Sequence, residues 1–311
     1  RIRGVLDISG NIMWIKARQG LSAICLMGLL TACADDHLTN NIRAESVVRD
    51  GKKTTTPKIN SIIRVAQATA ARGDWAIAVS LYRRAIKLRP KNFDAAYGLA
   101  RALNKVGANV EALKAFQRAF KLKPKSVDAM RGLGNTLIML DRPAAAIRHF
   151  ERALNRMEDP RLYNGIAVAY DLTDDYKAAQ AFYRVGLKTN PRSLSLRNNL
   201  GLSLMLSGDV EAANGELRKV VASPKASERH RLNLALGLVL AGDSKTAESV
   251  ARFDLNNRAA QDQIAYFETI KSLADPTETR AAIRAHIRGD SQEFIKMRGP
   301  SKPRNYAVPA R

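Results

Sequence analysis

Cysteine is nearly missing from this 311-residue chain, which has only Cys25 and Cys33. Histidine is scarce too. The four residues His37, His149, His230 and His286 show no i, i+4 pairing and no carboxylate at metal-ligand spacing. Two cysteines eight positions apart do not make a CxxC redox centre, and the histidines are expected at exposed or helix-capping positions. Aromatic residues make up 6%, too few for a β-sandwich, which draws on aromatic and β-branched side chains. Acidic residues number 29 against 51 Lys and Arg, leaving a net charge of +22. A field of that size attracts anionic partners of any kind and does not choose among them. No apolar run reaches the roughly 20 residues of a helical membrane span. Phosphate and calcium loops are missing as well. Gly132-Leu133-Gly134 is a lone GxG within a helical pattern, and Asp171-Leu172-Thr173-Asp174-Asp175 lacks the Gly and distal Glu of a calcium loop. No catalytic residue, metal site or cofactor is expected, and the chain reads as something other than an enzyme.

What is present begins at the N-terminus. Met13 opens an export signal: Lys16 and Arg18 form a basic region, and Leu21–Leu30 form an apolar core too short to span a bilayer. Residues 1–12 are expected to come from an upstream reading of the gene, and 13–32 to be the cleaved signal. Leu30-Thr31-Ala32-Cys33 resembles the bacterial lipobox. The resemblance implies a diacylglyceryl thioether on Cys33, the one covalent group expected on this protein. Acyl chains contribute about 0.8 kcal/mol per buried CH₂, so two or three of them anchor a protein stably. Ala34 stands where a retaining Asp holds such proteins at the inner membrane. The expected location is thus the cell envelope, at the periplasmic face of the outer membrane. Residues 33–58 are polar and aperiodic and read as a tether, with a reach of roughly 25–30 Å.

A ruler follows. Ala78, Ala112, Ala146, Ala179, Ala213 and Ala247 are separated by 34, 34, 33, 34 and 34 residues. Five positions before each stands Gly73, Gly107, Asp141, Asp174, Gly208 or Gly242, and four after each stands Tyr82, Phe116, Phe150, Tyr183, Leu217 or Ala251. Pro90, Pro124, Pro191 and Pro224 close four of the units. The period and residue types resemble the tetratricopeptide (TPR) family. The Gly or Asp suits the turn between helix A and helix B, the Ala permits a close helix crossing, and the residue four later fills the space between units. The expected fold is all-α, a TPR solenoid of five to six helix-turn-helix repeats. Repeats are placed at 59–92, 93–126, 127–159, 160–193 and 194–227, with a degenerate sixth at 228–261. Capping helices over 262–288 would cover the last apolar face, and 289–311 reads as a basic disordered tail.

In the TPR family the second, fifth, ninth, twelfth and thirteenth positions of helix A face a concave groove. Here these positions supply Tyr97, Arg101, Asn104, Lys105, Arg131, Asn135, Asn164 and Asn198. Such side chains suit an extended peptide, because Asn bonds both amide directions and Arg clamps a carboxylate. A nucleic-acid reading would want basic residues interleaved with stacking aromatics. Lys and Arg are instead spread over helix B faces and the termini, so nucleic acid is not an expected partner.

The order of signal, lipobox, tether, repeats and basic tail, together with Asp254-Leu255 through Ala265-Tyr266-Phe267, resembles the TadD family of TPR lipoproteins from tight-adherence (Flp pilus) assembly systems. That resemblance implies protein partners, a secretin and other pilus-assembly components, and a pilotin-like role at the outer membrane. TPR lipoproteins that serve type IV pilus secretins, murein hydrolases or exopolysaccharide export share the same class and stay open as alternatives.

Overall fold

In a computed structural model, the structure describes residues 3–6, 12–15 and 55–289. The signal core, the lipobox with Cys33, most of the tether with His37, and the tail beyond Gly289 lie outside the described residues. A short antiparallel hairpin pairs β1 (Arg3–Leu6) with β2 (Ile12–Ile15). The described residues from 55 to 289 form fourteen helices joined by short turns.

Helices A and B alternate. The A helices are α1 (Thr55–Ala71), α3 (Phe93–Lys105), α5 (Val127–Met139), α7 (Pro160–Asp171), α9 (Leu194–Leu206) and α11 (Glu228–Leu240). Their B partners are α2 (Trp75–Leu88), α4 (Asn109–Leu122), α6 (Pro143–Leu154), α8 (Tyr176–Thr189), α10 (Val210–Val221) and α12 (Ser244–Ala251). Helices α13 (Asn257–Lys271) and α14 (Pro276–Arg288) follow. Two boundaries differ from the sequence reading. The first helix takes in Thr55, Thr56 and Pro57 from the expected tether, because Ile59, Ile63 and Ala66 then bury one face of it. The cap begins at Asn257 and not at 262, since the Asn256 side chain accepts from the Ala259 amide at 2.9 Å and starts α13 there.

All six turn residues named by the period sit at positive φ, among them Gly107 at 79° and Asp141 at 59°. The left-handed region costs a side-chain-bearing residue roughly 1–2 kcal/mol, and glycine and Asp are among the residues that tolerate it. Side-chain caps mark most A-helix starts: Asn92, Ser126, Asp159 and Ser193 accept from backbone amides two or three residues on, at 2.8–3.3 Å. Each such cap stabilises its helix by about 1 kcal/mol.

The six spaced alanines are fully buried, and Tyr82, Phe116, Phe150, Tyr183, Leu217 and Ala251 are buried beside them. A β-carbon added at Gly134 would stand 2.6 Å from the Phe150 ring, and one added at Gly165 also 2.6 Å away. The ring is thus clasped between α5 of its own repeat and α7 of the next. Tyr82 lies in the same way on Gly98, and Phe116 on Gly132. Phe150→Ala should lower stability by about 3–5 kcal/mol. Gly134→Ala should be destabilising as well, because overpacking costs about 1–3 kcal/mol and outweighs the roughly 1 kcal/mol an alanine contributes within a helix. Urea denaturation measures both, and a Gly134→Ala protein as stable as its parent would contradict this packing.

The cap does not simply extend the stack. α13 packs in register after α11, burying Ala260, Ile264, Tyr266, Phe267 and Ile270. α14 then runs back over earlier repeats. Its Arg284 donates to the Tyr176 hydroxyl at 2.8 Å and to the Asp171 carbonyl at 3.3 Å, and pairs with Asp174. Near its end, the Ile287 carbonyl accepts from Arg229 at the start of α11.

Candidate functional site

Because the A helices lie parallel on one side of the stack, they line a groove of about 690 Å³ that runs from Trp75 to Leu196. Seven of the eight residues expected there line it: Tyr97, Arg101, Asn104, Lys105, Arg131, Asn135 and Asn164. Asn198 does not. It is buried in a ladder of amides, donating to Asn199 at 3.3 Å and accepting from Asn233 at 2.9 Å, while Asn199 donates to Asn164 at 3.0 Å. The periodicity puts Asn198 on the inner face, but neighbouring repeats take up its amide. Asn104 lines the groove, yet its amide nitrogen donates to Thr136 at 2.8 Å. Its Oδ1 is buried without a hydrogen-bond partner.

The positional rule, followed through to the second position, also finds Asp128, Arg161 and Ser195, all of which line the groove. Trp75 could not have been found this way, because it opens a B helix.

One end of the groove is aromatic and cationic. Phe93 stacks on Tyr97 (5.8 Å between centroids, 7° between planes), and Tyr97 meets Phe116 edge-on at 5.9 Å. Arg101 stands 5.9 Å over the Tyr97 ring and Lys105 stands 5.9 Å over the Trp75 ring. Burial pushes the Tyr97 hydroxyl above its ordinary value, so it stays protonated at neutral pH. The middle of the groove is nearly balanced. Arg131 binds Asp128 at 2.5 Å and Asp159 at 3.1 Å, and Arg161 holds Asp159 at 2.7 Å. Burial alone would raise the Asp159 carboxyl, but hydrogen bonds and charge from Arg161, with Arg131 beside it, outweigh this and hold it below the usual range. Positive potential is therefore concentrated at Arg101, which is exposed, and Lys105, which is half-buried. Such an arrangement suits an anionic, partly apolar segment of another protein.

The Asp171–Asp175 run is a turn device. Asp175 caps α8 through the Ala178 amide at 3.0 Å, and Asp174 holds the left-handed turn position. Among the described residues no group of His, Cys, Asp and Glu is placed to hold a metal ion. Of the histidines, His230 accepts from the Ser227 amide at 3.0 Å as a cap, and His149 packs edge-on against Phe120. His286 departs from expectation: its ring lies edge-on against Phe267 at 4.9 Å, and its Nε2 is buried without a hydrogen-bond partner.

Asp171 is the most perturbed carboxyl. It accepts from Ser203 at 2.6 Å and from Tyr183 at 2.8 Å. Burial pushes it up to about 7 despite those bonds and the charge of Arg284. The folded chain therefore binds an extra proton between the ordinary value of 3.8 and about 7. Stability from this site is full below that window and is lost as pH rises through it. His286 has the opposite slope, because burial and then Arg229 push it down to about 4. Comparing Asp171→Asn with its parent isolates the carboxyl. In thermal melts at pH 5 and 8, the melting temperature of the variant minus that of the parent should rise with pH. A difference that does not change with pH would contradict this assignment.

Three family profiles described as tetratricopeptide repeat match residues 66–126, 105–169 and 160–193. Together with the fold, they show tetratricopeptide repeats across residues 66–193. No curated protein matches the chain in sequence. Among solved structures, it is similar to PilW, described as a widely conserved type IV pilus biogenesis factor. The identity is 20% and the TM-score 0.57, over 63% of this chain and 93% of that one. It is also similar to PilF of Pseudomonas aeruginosa, at 16% identity and TM-score 0.53 over 64% and 90% of the two chains. A tetratricopeptide repeat protein of Parabacteroides merdae aligns at 14% identity and TM-score 0.57 over 68% and 84%. At these identities the likeness is one of fold.

Proposed function

We propose that this protein is a lipid-tethered TPR scaffold of the bacterial envelope, without catalytic activity, that holds protein partners during assembly of a Flp/Tad pilus secretion apparatus. The groove carries the proposal. An open, curved surface of stacked aromatics and ring-seated cations, built on rigid parallel helices, grips a protein segment and offers no apparatus for bond-making. Tethering rests on the lipobox at Cys33, and the outer-membrane location on Ala34. The pilus context is supported by the architectural resemblance to the TadD family and by the fold shared with PilW, described as a type IV pilus biogenesis factor. In its most concrete form the role is pilotin-like, with the groove taking an anionic segment of a secretin or a companion assembly protein. Among the described residues no helix is long and apolar enough to cross a membrane.

The test is affinity capture of the full chain from detergent-solubilised envelope, with mass spectrometry of what comes with it. Secretin and pilus-assembly proteins are the expected company. Reversing both groove cations (Arg101→Glu with Lys105→Glu) should lower their recovery by about tenfold, the equivalent of 1.4 kcal/mol, without altering the helical circular dichroism. Recovery that is unaffected by the double reversal would contradict the groove. Capture of murein hydrolases alone would replace the pilus reading with a cell-wall one. Separately, Cys33→Ser should abolish palmitate labelling and release the protein from membranes, and unchanged labelling would remove the anchor.

A further inference from the structure

Charge is not shared evenly between the inner and outer faces of the stack. α2 and the loop after it, residues 75–92, hold Arg83, Arg84, Lys87, Arg89 and Lys91 and no acidic residue. α8 and its loop, residues 176–193, hold Lys177, Arg184, Lys188 and Arg192 and again no acidic residue. On the first four B helices, α2, α4, α6 and α8, the acidic residues are Glu111 and Glu151, and Glu111 is already paired with Arg83 at 2.6 Å. The excess repeats with the fold. Arg84, Arg118 and Arg152 are spaced 34 residues apart, as are Lys87 and Lys121, and all five are exposed. Each stands on the side of its helix away from the buried Ala78, Tyr82 and Ala85 or their equivalents. None of them lines the groove.

Contacts between repeats join these residues into one surface. Arg83 reaches from α2 to Glu111 on α4, Arg118 donates back to the Pro90 carbonyl at 2.7 Å, and Arg152 of α6 lies 5.0 Å over the Phe120 ring of α4. Aliphatic side chains stand among the charges. Ile77, Leu88, Val110 and Val185 are exposed on the same B helices. Ile77 and Leu88 flank Arg84 at seven- and four-residue spacings, which puts them on its side of α2. Val185 occupies in α8 the place that Arg152 holds in α6. Rings are not part of this pattern, for every Phe, Tyr and Trp on these four helices is buried or half-buried. A surface for single-stranded nucleic acid interleaves its cations with rings on which bases stack. Cations interleaved with exposed aliphatic side chains fit a lipid surface instead, where the charges meet headgroups and the aliphatic chains reach the acyl boundary.

We propose that the outer face of repeats one to four is a docking surface for an anionic phospholipid bilayer, on which the stack lies with its open groove turned away from the lipid. The choice of a bilayer rests on the lipid-tethered reading above. A tether with a reach of roughly 25–30 Å keeps the outer face within range of headgroups, and each Lys or Arg close to an anionic surface strengthens attachment about fivefold. That attraction fades over a Debye length, about 10 Å at 0.1 M salt, so it acts only when the face lies on the membrane. The consequence is orientation. A tether alone lets the groove face in any direction, whereas a docked outer face presents it to other proteins of the envelope.

The test mixes the full chain, purified from the envelope, with preformed vesicles of phosphatidylcholine alone or with phosphatidylglycerol added. An amine-reactive reagent and mass spectrometry then read the labelling rate of each lysine. With phosphatidylglycerol present, Lys87, Lys121 and Lys188 should label at least about threefold more slowly than on phosphatidylcholine alone. Lys105 in the groove should not change, and about 0.5 M salt should remove the difference. Arg84, Arg148 and Arg184 are exposed and pair with no carboxylate among the described residues. Changing all three to Glu should abolish the protection and leave the helical circular dichroism as it was. Flotation on phosphatidylcholine vesicles reads the anchor separately. A chain that floats there but gains no protection from phosphatidylglycerol keeps the tether and loses this face. One that does not float there yet is protected on phosphatidylglycerol keeps this face and loses the tether. Three further results would overturn the proposal: protection that persists in the triple variant, equal protection of Lys105, or a thymidylate oligonucleotide that shields the same lysines as strongly as the vesicles.

Discussion

The structure depends on how closely two helices approach each other under an aromatic ring. Phe150 fits only because Gly134 on one side and Gly165 on the other carry no β-carbon, and Ala146 one turn before it is fully buried. Close-packed interiors tolerate little error in such contacts. The ring fixes the separation of three consecutive helices at once, and repetition every 34 residues turns that separation into a curved stack with the A helices inside. Where the ring gives way to Leu217 and then Ala251, helix B shortens to the eight residues of α12, and the regular stack closes soon after.

From that geometry comes an inner surface with two characters. Repeats two to five present rings, ring-seated cations and an Arg–Asp cluster to solvent. In repeats five and six the A helices instead bury leucines and an amide ladder. The net charge of +22 is not itself the specificity of the molecule. Arg131 and Arg161 spend their charge on Asp128 and Asp159, and Arg101 and Lys105 alone give the groove its sign. A positive field of that size attracts anionic partners, and in the proposed function the seated cations fix where such a partner binds.

Much of this was legible in the sequence because repeats convert spacing into geometry. Every turn glycine and aspartate named by the period adopts the left-handed conformation, and every spaced alanine is buried. The inner-face rule named Tyr97, Arg101 and Arg131, which line the groove, and its second position adds Arg161. Three things were not legible. Periodicity puts Asn198 on a face but cannot say that Asn199 and Asn233 claim its amide. It reads α14 as a helix but cannot give the direction in which the chain turns after Asp275-Pro276. Nor does it reveal that the Asp171 carboxyl, in what looks like an ordinary polar turn, accepts from Tyr183 and Ser203.

The central claim, that this protein works by holding another protein along the open inner face, is tested most directly by site-specific photocrosslinking in intact cells. A photoreactive amino acid at Tyr97 or Asn135 should yield a discrete crosslinked envelope protein. The same probe at Arg148, exposed on a B helix, should yield none. Crosslinks of equal strength and identity from both faces, or none from the inner face, would contradict the account.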